Sequence, residues 1–127
     1  MYSPKLLDHF EHPRNAGVVN DPDGSVQVEN PACGDLLKLT ARLSQGRIRE
    51  LKFQAQGCVP AIACGSALTE LIIGKSLNEA ARVSREDLVA SLGQLPEAST
   101  HASHLAIDAL AALVEKLKGS YRVPAGQ

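Results

Sequence analysis

Two alternating segments joined by a short polar turn constrain the fold of this chain more than any other feature. Apolar side chains fall at every second position over Asp35–Leu43, and a second strand-like segment covers Ile48–Gln56. The connecting residues, Ser44–Arg47, include Gly46 at a position where a tight hairpin turn needs a positive φ angle. The sequence therefore predicts an antiparallel hairpin whose two open ends lie side by side.

Residues with metal-binding side chains cluster at this open end. Cys33 and Asp35 flank a glycine within the segment Asn30–Asp35, and Cys58 follows the second strand. His101 lies much later, where a long helix begins. Two thiolates, a carboxylate and an imidazole complete a tetrahedral Zn²⁺ shell, or supply the two terminal ligands that each iron of a [2Fe-2S] cluster needs. We therefore predict that these four side chains converge on one metal centre.

Two further residues are candidates for an additional ligand. His104 lies about one helical turn after His101, so both imidazoles share a helix face. Cys64 falls on the apolar face of a helix predicted over Pro60–Ile73, a position typical of a buried core thiol. We favour His104 over Cys64; the alternative is that neither binds and that water or Asp35 completes the shell.

The remaining segments predict helices and one short strand. A first helix follows the N-cap Ser3 and ends at Glu11, and we expect His9 and His12 to be surface or helix-end residues. The other predicted elements are a strand over Val26–Glu29, two short helices opened by Ser76 and Ser84, and a last helix capped by Thr100 and ended by Gly119.

Charge and composition exclude several classes of protein. The 127 residues carry 13 basic and 14 acidic side chains, a net charge of −1, and no basic stripe that would indicate nucleic-acid binding. No apolar segment has the length of a membrane span and no signal-peptide core opens the sequence, so we expect no membrane insertion and a cytoplasmic location. Three cysteines in a reducing compartment are more typical of free thiols or metal ligands than of disulfides. The length predicts one domain over residues 1–127, with 119–127 as a flexible tail.

Five segments follow one another along most of the chain, from Ser3 to about Lys118: Asp8–Asn15, Pro31–Asp35, Gly57-Cys58, Gly74–Ala80 and His101–Ser103. Together they resemble the iron–sulfur cluster assembly scaffold family that includes IscU and the NifU N-terminal domain.

The resemblance implies an α+β fold, with a three-stranded antiparallel sheet covered by several helices and an exposed metal site at one end. It also implies a non-enzymatic protein on which a [2Fe-2S] cluster forms transiently from iron and from sulfur that a cysteine desulfurase donates, before the cluster passes to apo iron–sulfur acceptor proteins. Cys33, Asp35, Cys58 and His101 match the family's site positions. We expect a monomer or weak dimer.

The sequence departs from the family pattern at two places. Ala102 stands where the family has a third cysteine, a cluster ligand that is implicated in receiving sulfur. Only Leu95-Pro96 remains of the segment that a dedicated Hsp70-type chaperone recognises, which argues against chaperone-assisted release.

Two alternatives to a cluster scaffold stay open from the sequence. One is a degenerate family member with a mononuclear Zn²⁺ or Fe²⁺ site and no assembly activity. The other is an enzyme, such as a metal-dependent hydrolase or a thiol sulfurtransferase that uses Cys58. Against the enzyme, the sequence contains no nucleophile, base and orienting residue in a recognisable arrangement and no signature of a substrate pocket.

Overall fold

Three antiparallel strands form a single sheet in the computed structural model, which describes residues 2–31 and 34–120. The strands are β1 (Gly24–Asn30), β2 (Asp35–Ser44) and β3 (Arg47–Gln56), in the spatial order β1-β2-β3. The predicted hairpin is confirmed: Gln45 and Gly46 form its turn with φ angles of 54° and 77°, the two positive values that a two-residue type I′ turn requires. Because Leu36 pairs with Gln56, the open ends of β2 and β3 lie side by side.

Within the described residues, five helices and one 3₁₀ turn accompany this sheet. They are α1 (Pro4–Glu11), α2 (Val59–Ile72), α3 (Leu77–Ala81), α4 (Arg85–Ser91) and α5 (Thr100–Ser120), with a 3₁₀ turn at Glu97–Ser99. The predicted N-caps of the first, third and fourth helices are confirmed, since the hydroxyls of Ser3, Ser76 and Ser84 each accept a hydrogen bond from a backbone N–H of the first turn. Together with the sheet, these elements confirm the predicted α+β class.

The hydrophobic core lies between the sheet and two long helices. Helix α2 packs on β3, and α5 packs on β1 and β2. Leu37, Leu39, Leu51 and Phe53, from alternate positions of β2 and β3, are almost completely buried beneath them. Cys64, on α2, is fully buried in this core, as its helical phase predicted. Among the residues that the structure describes, no helix is both long and apolar enough to cross a membrane.

Of the two alternatives expected for His9, the helix end is confirmed, since His9 lies in the last turn of α1, whereas the surface position is wrong. Helix α1 packs against α2, which leaves His9 only 7% exposed and places its Nδ1 atom 2.7 Å from Ser66 Oγ on α2. His12, which follows the end of α1, is exposed as expected. The helical period of α1 places His9 toward α2, and a histidine is tolerated there because a hydroxyl partner meets it.

Both predicted ends of the last helix are wrong. Thr100 is not an N-cap: its backbone is helical, with φ −56° and ψ −34°, and its hydroxyl donates to the Glu97 carbonyl at 2.7 Å within the 3₁₀ turn. At the other end, α5 continues through Gly119 to Ser120, because a terminal glycine costs a helix only about 1 kcal/mol. Residues 121–127 lie outside the described residues, so the flexible tail stays a prediction beyond Ser120.

Candidate metal centre

Three elements meet at the open end of the β2–β3 hairpin, and each brings one metal-binding side chain. Asp35 is the first residue of β2, directly beside the end of β3. Cys58 follows β3 by two residues and is the N-cap of α2, with an extended backbone. His101 lies in the first turn of α5, which packs on β1 and β2. The sheet therefore places the first two side chains, and the docking of α5 adds the third.

The ligand atoms of these three side chains lie within 4.8 Å of one another. Asp35 is central: its Oδ2 atom lies 3.2 Å from His101 Nε2 and 3.5 Å from Cys58 Sγ. Two nitrogen, oxygen or sulfur ligands of one tetrahedral Zn²⁺ are separated by about 3.3–3.8 Å, which follows from metal–ligand bonds of about 2.0–2.3 Å. The two separations that involve Asp35 are therefore close to the spacing that a shared metal ion requires.

Burial differs among the three groups. Asp35 is only 3% exposed, while the side chain of His101 is 36% exposed and Cys58 is half-buried. Burial raises the pKa of the Cys58 thiol, the Ala61 N–H opposes that shift, and the nearby Asp35 carboxylate adds to it. Without metal the thiol is therefore protonated near neutral pH and donates to Asp35. A metal ion has to displace this proton, so its binding becomes tighter as the pH rises.

The other candidate ligands lie in different surroundings. His104 is exposed and lines, with His101, a recess of about 300 Å³ that extends toward Glu29 and Asp108. Cys64 is fully buried, and burial raises the pKa of its thiol to about 12, which disfavours the thiolate form that binds metal. Cys33 lies outside the described residues, and its place in the site stays a prediction.

One residue of the site was not singled out by its sequence. Gly57 lies between β3 and Cys58, and its backbone passes directly over the Asp35 carboxylate. The only signal in the sequence is the glycine immediately before a candidate ligand cysteine, which by itself does not indicate what the glycine approaches.

The comparisons with known proteins agree with this fold. The family model described as "NifU-like N terminal domain" matches residues 1–122 of the chain. The chain belongs to this family. The resemblance that the sequence motifs predicted is therefore confirmed, and the match covers every element of the NifU-like domain described above.

Named relatives of this NifU-like domain cover nearly its whole length. It is 46% identical over 110 residues to "Iron-sulfur cluster assembly scaffold protein IscU 1" of Archaeoglobus fulgidus, covering 87% of this chain and 72% of the relative. It is 41% identical over 121 residues to the Escherichia coli (strain K12) protein "Iron-sulfur cluster assembly scaffold protein IscU", covering 92% of this chain and 94% of that protein. A crystal structure of a NifU-like N-terminal protein from Brucella abortus superposes with a TM-score of 0.78 at 14% identity, covering 94% of this chain and 95% of that one, which shows the shared fold.

The donor set suits soft and borderline metals. A thiolate selects Zn²⁺, iron or iron–sulfur clusters, imidazole suits the same metals, and a carboxylate adds a harder and more labile oxygen ligand. The site of this NifU-like domain thus has the chemistry for Zn²⁺, Fe²⁺ or an iron–sulfur cluster at a partly exposed edge.

Proposed function

We propose that this NifU-like domain is a scaffold or carrier that holds an iron–sulfur cluster as its cargo during cluster assembly. The observation that supports this proposal best is the group of Asp35, Cys58 and His101, whose ligand atoms lie within 4.8 Å of one another beside the solvent. Cargo has to enter and leave, and the partial exposure of two of the three ligands suits that exchange. The names of the relatives, which describe scaffold proteins of cluster assembly, support the same function.

The proposed ligands divide between the two irons of a [2Fe-2S] cluster. Each iron needs two terminal ligands in addition to the bridging sulfides. Cys58 and Cys33, which precedes Asp35 by two residues in the sequence, supply two thiolates. His101, with Asp35 or His104, supplies the other two. A carboxylate or second imidazole binds iron less firmly than a thiolate does, which favours release of the cluster to an acceptor.

We propose two kinds of partner for this function. A cysteine desulfurase supplies the sulfur, and apo iron–sulfur proteins receive the cluster. An Hsp70-type chaperone is not proposed, because only Leu95-Pro96 of its recognition segment is present. The compartment has to be reducing, as the cytoplasm is, because a ligand thiol such as Cys58 binds metal only while it stays reduced.

A second candidate function is a mononuclear Zn²⁺ or Fe²⁺ site without cluster assembly. Two observations favour it: three donors surround a single point, and position 102 carries an almost fully buried alanine in place of the third family cysteine. A tetrahedral ion would then be completed by Cys33 or by water.

Anaerobic reconstitution separates these two functions. The full chain is incubated with Fe²⁺, cysteine, a cysteine desulfurase and dithiothreitol, desalted, and assayed for iron, acid-labile sulfide and visible absorption. Equal amounts of iron and sulfide, with the absorption of a [2Fe-2S] cluster, are expected for a scaffold. Bound iron or Zn²⁺ without sulfide would contradict the scaffold proposal and favour the mononuclear site.

Two variants that each lack one of the three cysteines supply a matched comparison. Cys58→Ala removes a proposed ligand and should abolish cluster formation, whereas Cys64→Ala removes a buried core thiol and should leave it unchanged. Each variant loses one sulfur atom, so a general loss of thiol content cannot explain a difference between them. Equal cluster loss in both variants would count against Cys58 as a ligand.

A further inference from the structure

Gly57 lies where any side chain would collide with the Asp35 carboxylate. A Cβ atom built on Gly57 would fall 2.2 Å from Asp35 Oδ1 and 2.8 Å from its Cγ, well inside van der Waals contact. Gly57 itself is exposed, a position at which a side chain ordinarily meets only water. The absence of a side chain here therefore provides space for the carboxylate.

The same space determines how the carboxylate is oriented. Oδ1 occupies the position next to Gly57, and Oδ2 then faces both Cys58 Sγ, at 3.5 Å, and His101 Nε2, at 3.2 Å. The Asp35 backbone has little freedom to retreat, because its Cα would lie 3.3 Å from a Cβ on Gly57 and because Asp35 is paired with Asn30 of β1. A side chain at position 57 therefore has to turn the carboxylate rather than push the strand away.

We propose that Gly57 is a positioning residue of the metal centre: its missing Cβ holds the Asp35 carboxylate with Oδ2 directed at the same point as Cys58 and His101. The part of this inference that concerns metal ligands rests on the proposed function. The part that concerns the carboxylate's place does not, because the close approach exists in the protein without metal.

The test uses Gly57→Ala in two backgrounds, the parent and Asp35→Ala. Gly57 has a φ angle of +144°, so an alanine there is strained for reasons unrelated to Asp35. Gly74→Ala is the matched control for that strain, since Gly74 has a φ angle of +94° and a Cβ there would meet nothing within 4 Å. All variants are made in the full chain.

The first measurement is urea unfolding of the metal-free variants. Gly57→Ala should lower the unfolding midpoint more than Gly74→Ala does in the parent background. In the Asp35→Ala background, where Oδ1 and Cγ are gone, the two glycine substitutions should have similar effects, because the double-mutant cycle isolates the contact between positions 57 and 35. If Gly57→Ala does not fold, folding of the Gly57→Ala/Asp35→Ala double variant supports the proposal. Failure of both, while Asp35→Ala folds, overturns it.

The second measurement is binding of Co²⁺, a spectroscopic substitute for Zn²⁺, by its visible absorption. Loss of groups that orient metal ligands typically costs about tenfold to a hundredfold in affinity. Gly57→Ala should weaken Co²⁺ binding by that factor, as Asp35→Ala does, and the double variant should show no further loss. Parent-like Co²⁺ affinity in Gly57→Ala would overturn the proposal. If the parent binds no Co²⁺, the metal-site proposal fails, while the unfolding cycle still decides whether Gly57 positions the carboxylate.

Discussion

Replacing Ser66 by alanine should lower the free energy of unfolding by about 2–4 kcal/mol, although the substitution removes a single oxygen atom. The Ser66 hydroxyl, on α2, lies between two parts of the N-terminal segment. Its Oγ accepts a hydrogen bond from the Arg14 backbone N–H at 2.9 Å and lies 2.7 Å from His9 Nδ1. Since burial lowers the pKa of His9 and its Nε2 faces Glu70 at 3.5 Å, we assign the Ser66 O–H as the donor to a neutral Nδ1.

The magnitude follows from the two groups that Ser66→Ala leaves without a partner. Each buried polar group that loses its hydrogen bond costs about 1–3 kcal/mol. His9 is only 7% exposed and should incur most of this penalty, whereas the half-buried Arg14 N–H recovers part of its loss from water. The sum is a large fraction of the roughly 5–15 kcal/mol that stabilises a typical domain.

Urea unfolding of the metal-free protein, followed by circular dichroism at slightly alkaline pH, measures this effect. Ser103→Ala is the matched control: Ser103 is also fully buried, but its hydroxyl only donates to the Thr100 carbonyl at 2.7 Å in its own helix. A single hydrogen bond of this kind contributes about 0.5–1.5 kcal/mol, so the control should lose less stability than Ser66→Ala. A Ser66→Ala variant as stable as the control would refute the reasoning.

Acidification should destabilise the metal-free protein through His9, because burial lowers its pKa and the unfolded chain therefore binds the proton more readily. This contribution is fully present above about pH 6.5 and is lost as the pH falls below that value. The urea midpoints of the parent and of a His12→Gln control should therefore decline below about pH 6.5. The midpoint of His9→Gln should decline less. Iodoacetamide should leave Cys64 unmodified in the folded protein, since it is fully buried and its pKa is raised to about 12; peptide mass spectrometry before and after unfolding checks this, and modification of Cys64 in the folded state would contradict it. His104→Ala should reduce the iron content of the reconstituted protein and change its Mössbauer spectrum, whereas Cys64→Ala should change neither; full occupancy in both would leave Asp35 or water to complete the shell.

The sequence by itself determined the elements that depend on near neighbours. Alternation over Asp35–Leu43 predicted a half-buried strand, and Gly46 within Ser44–Arg47 predicted the turn, because both depend on backbone preferences within a few residues. The serine N-caps of α3 and α4 were predictable from the sequence for the same reason. The nearness of Asp35 and Cys58 was also predictable, since the two strands of a hairpin bring residues at its open end together.

Only the tertiary structure decided the features that depend on residues far apart in the chain. His9 is buried because α1 docks on α2 and meets Ser66, 57 positions away, which no local pattern indicates. His101 reaches Asp35 because α5 packs across β1 and β2. Gly57 is needed because the Asp35 carboxylate occupies the space of its missing side chain. Each feature depends on how closely two separate elements approach, and that distance is set by the packing of the whole core rather than by the residues on either side.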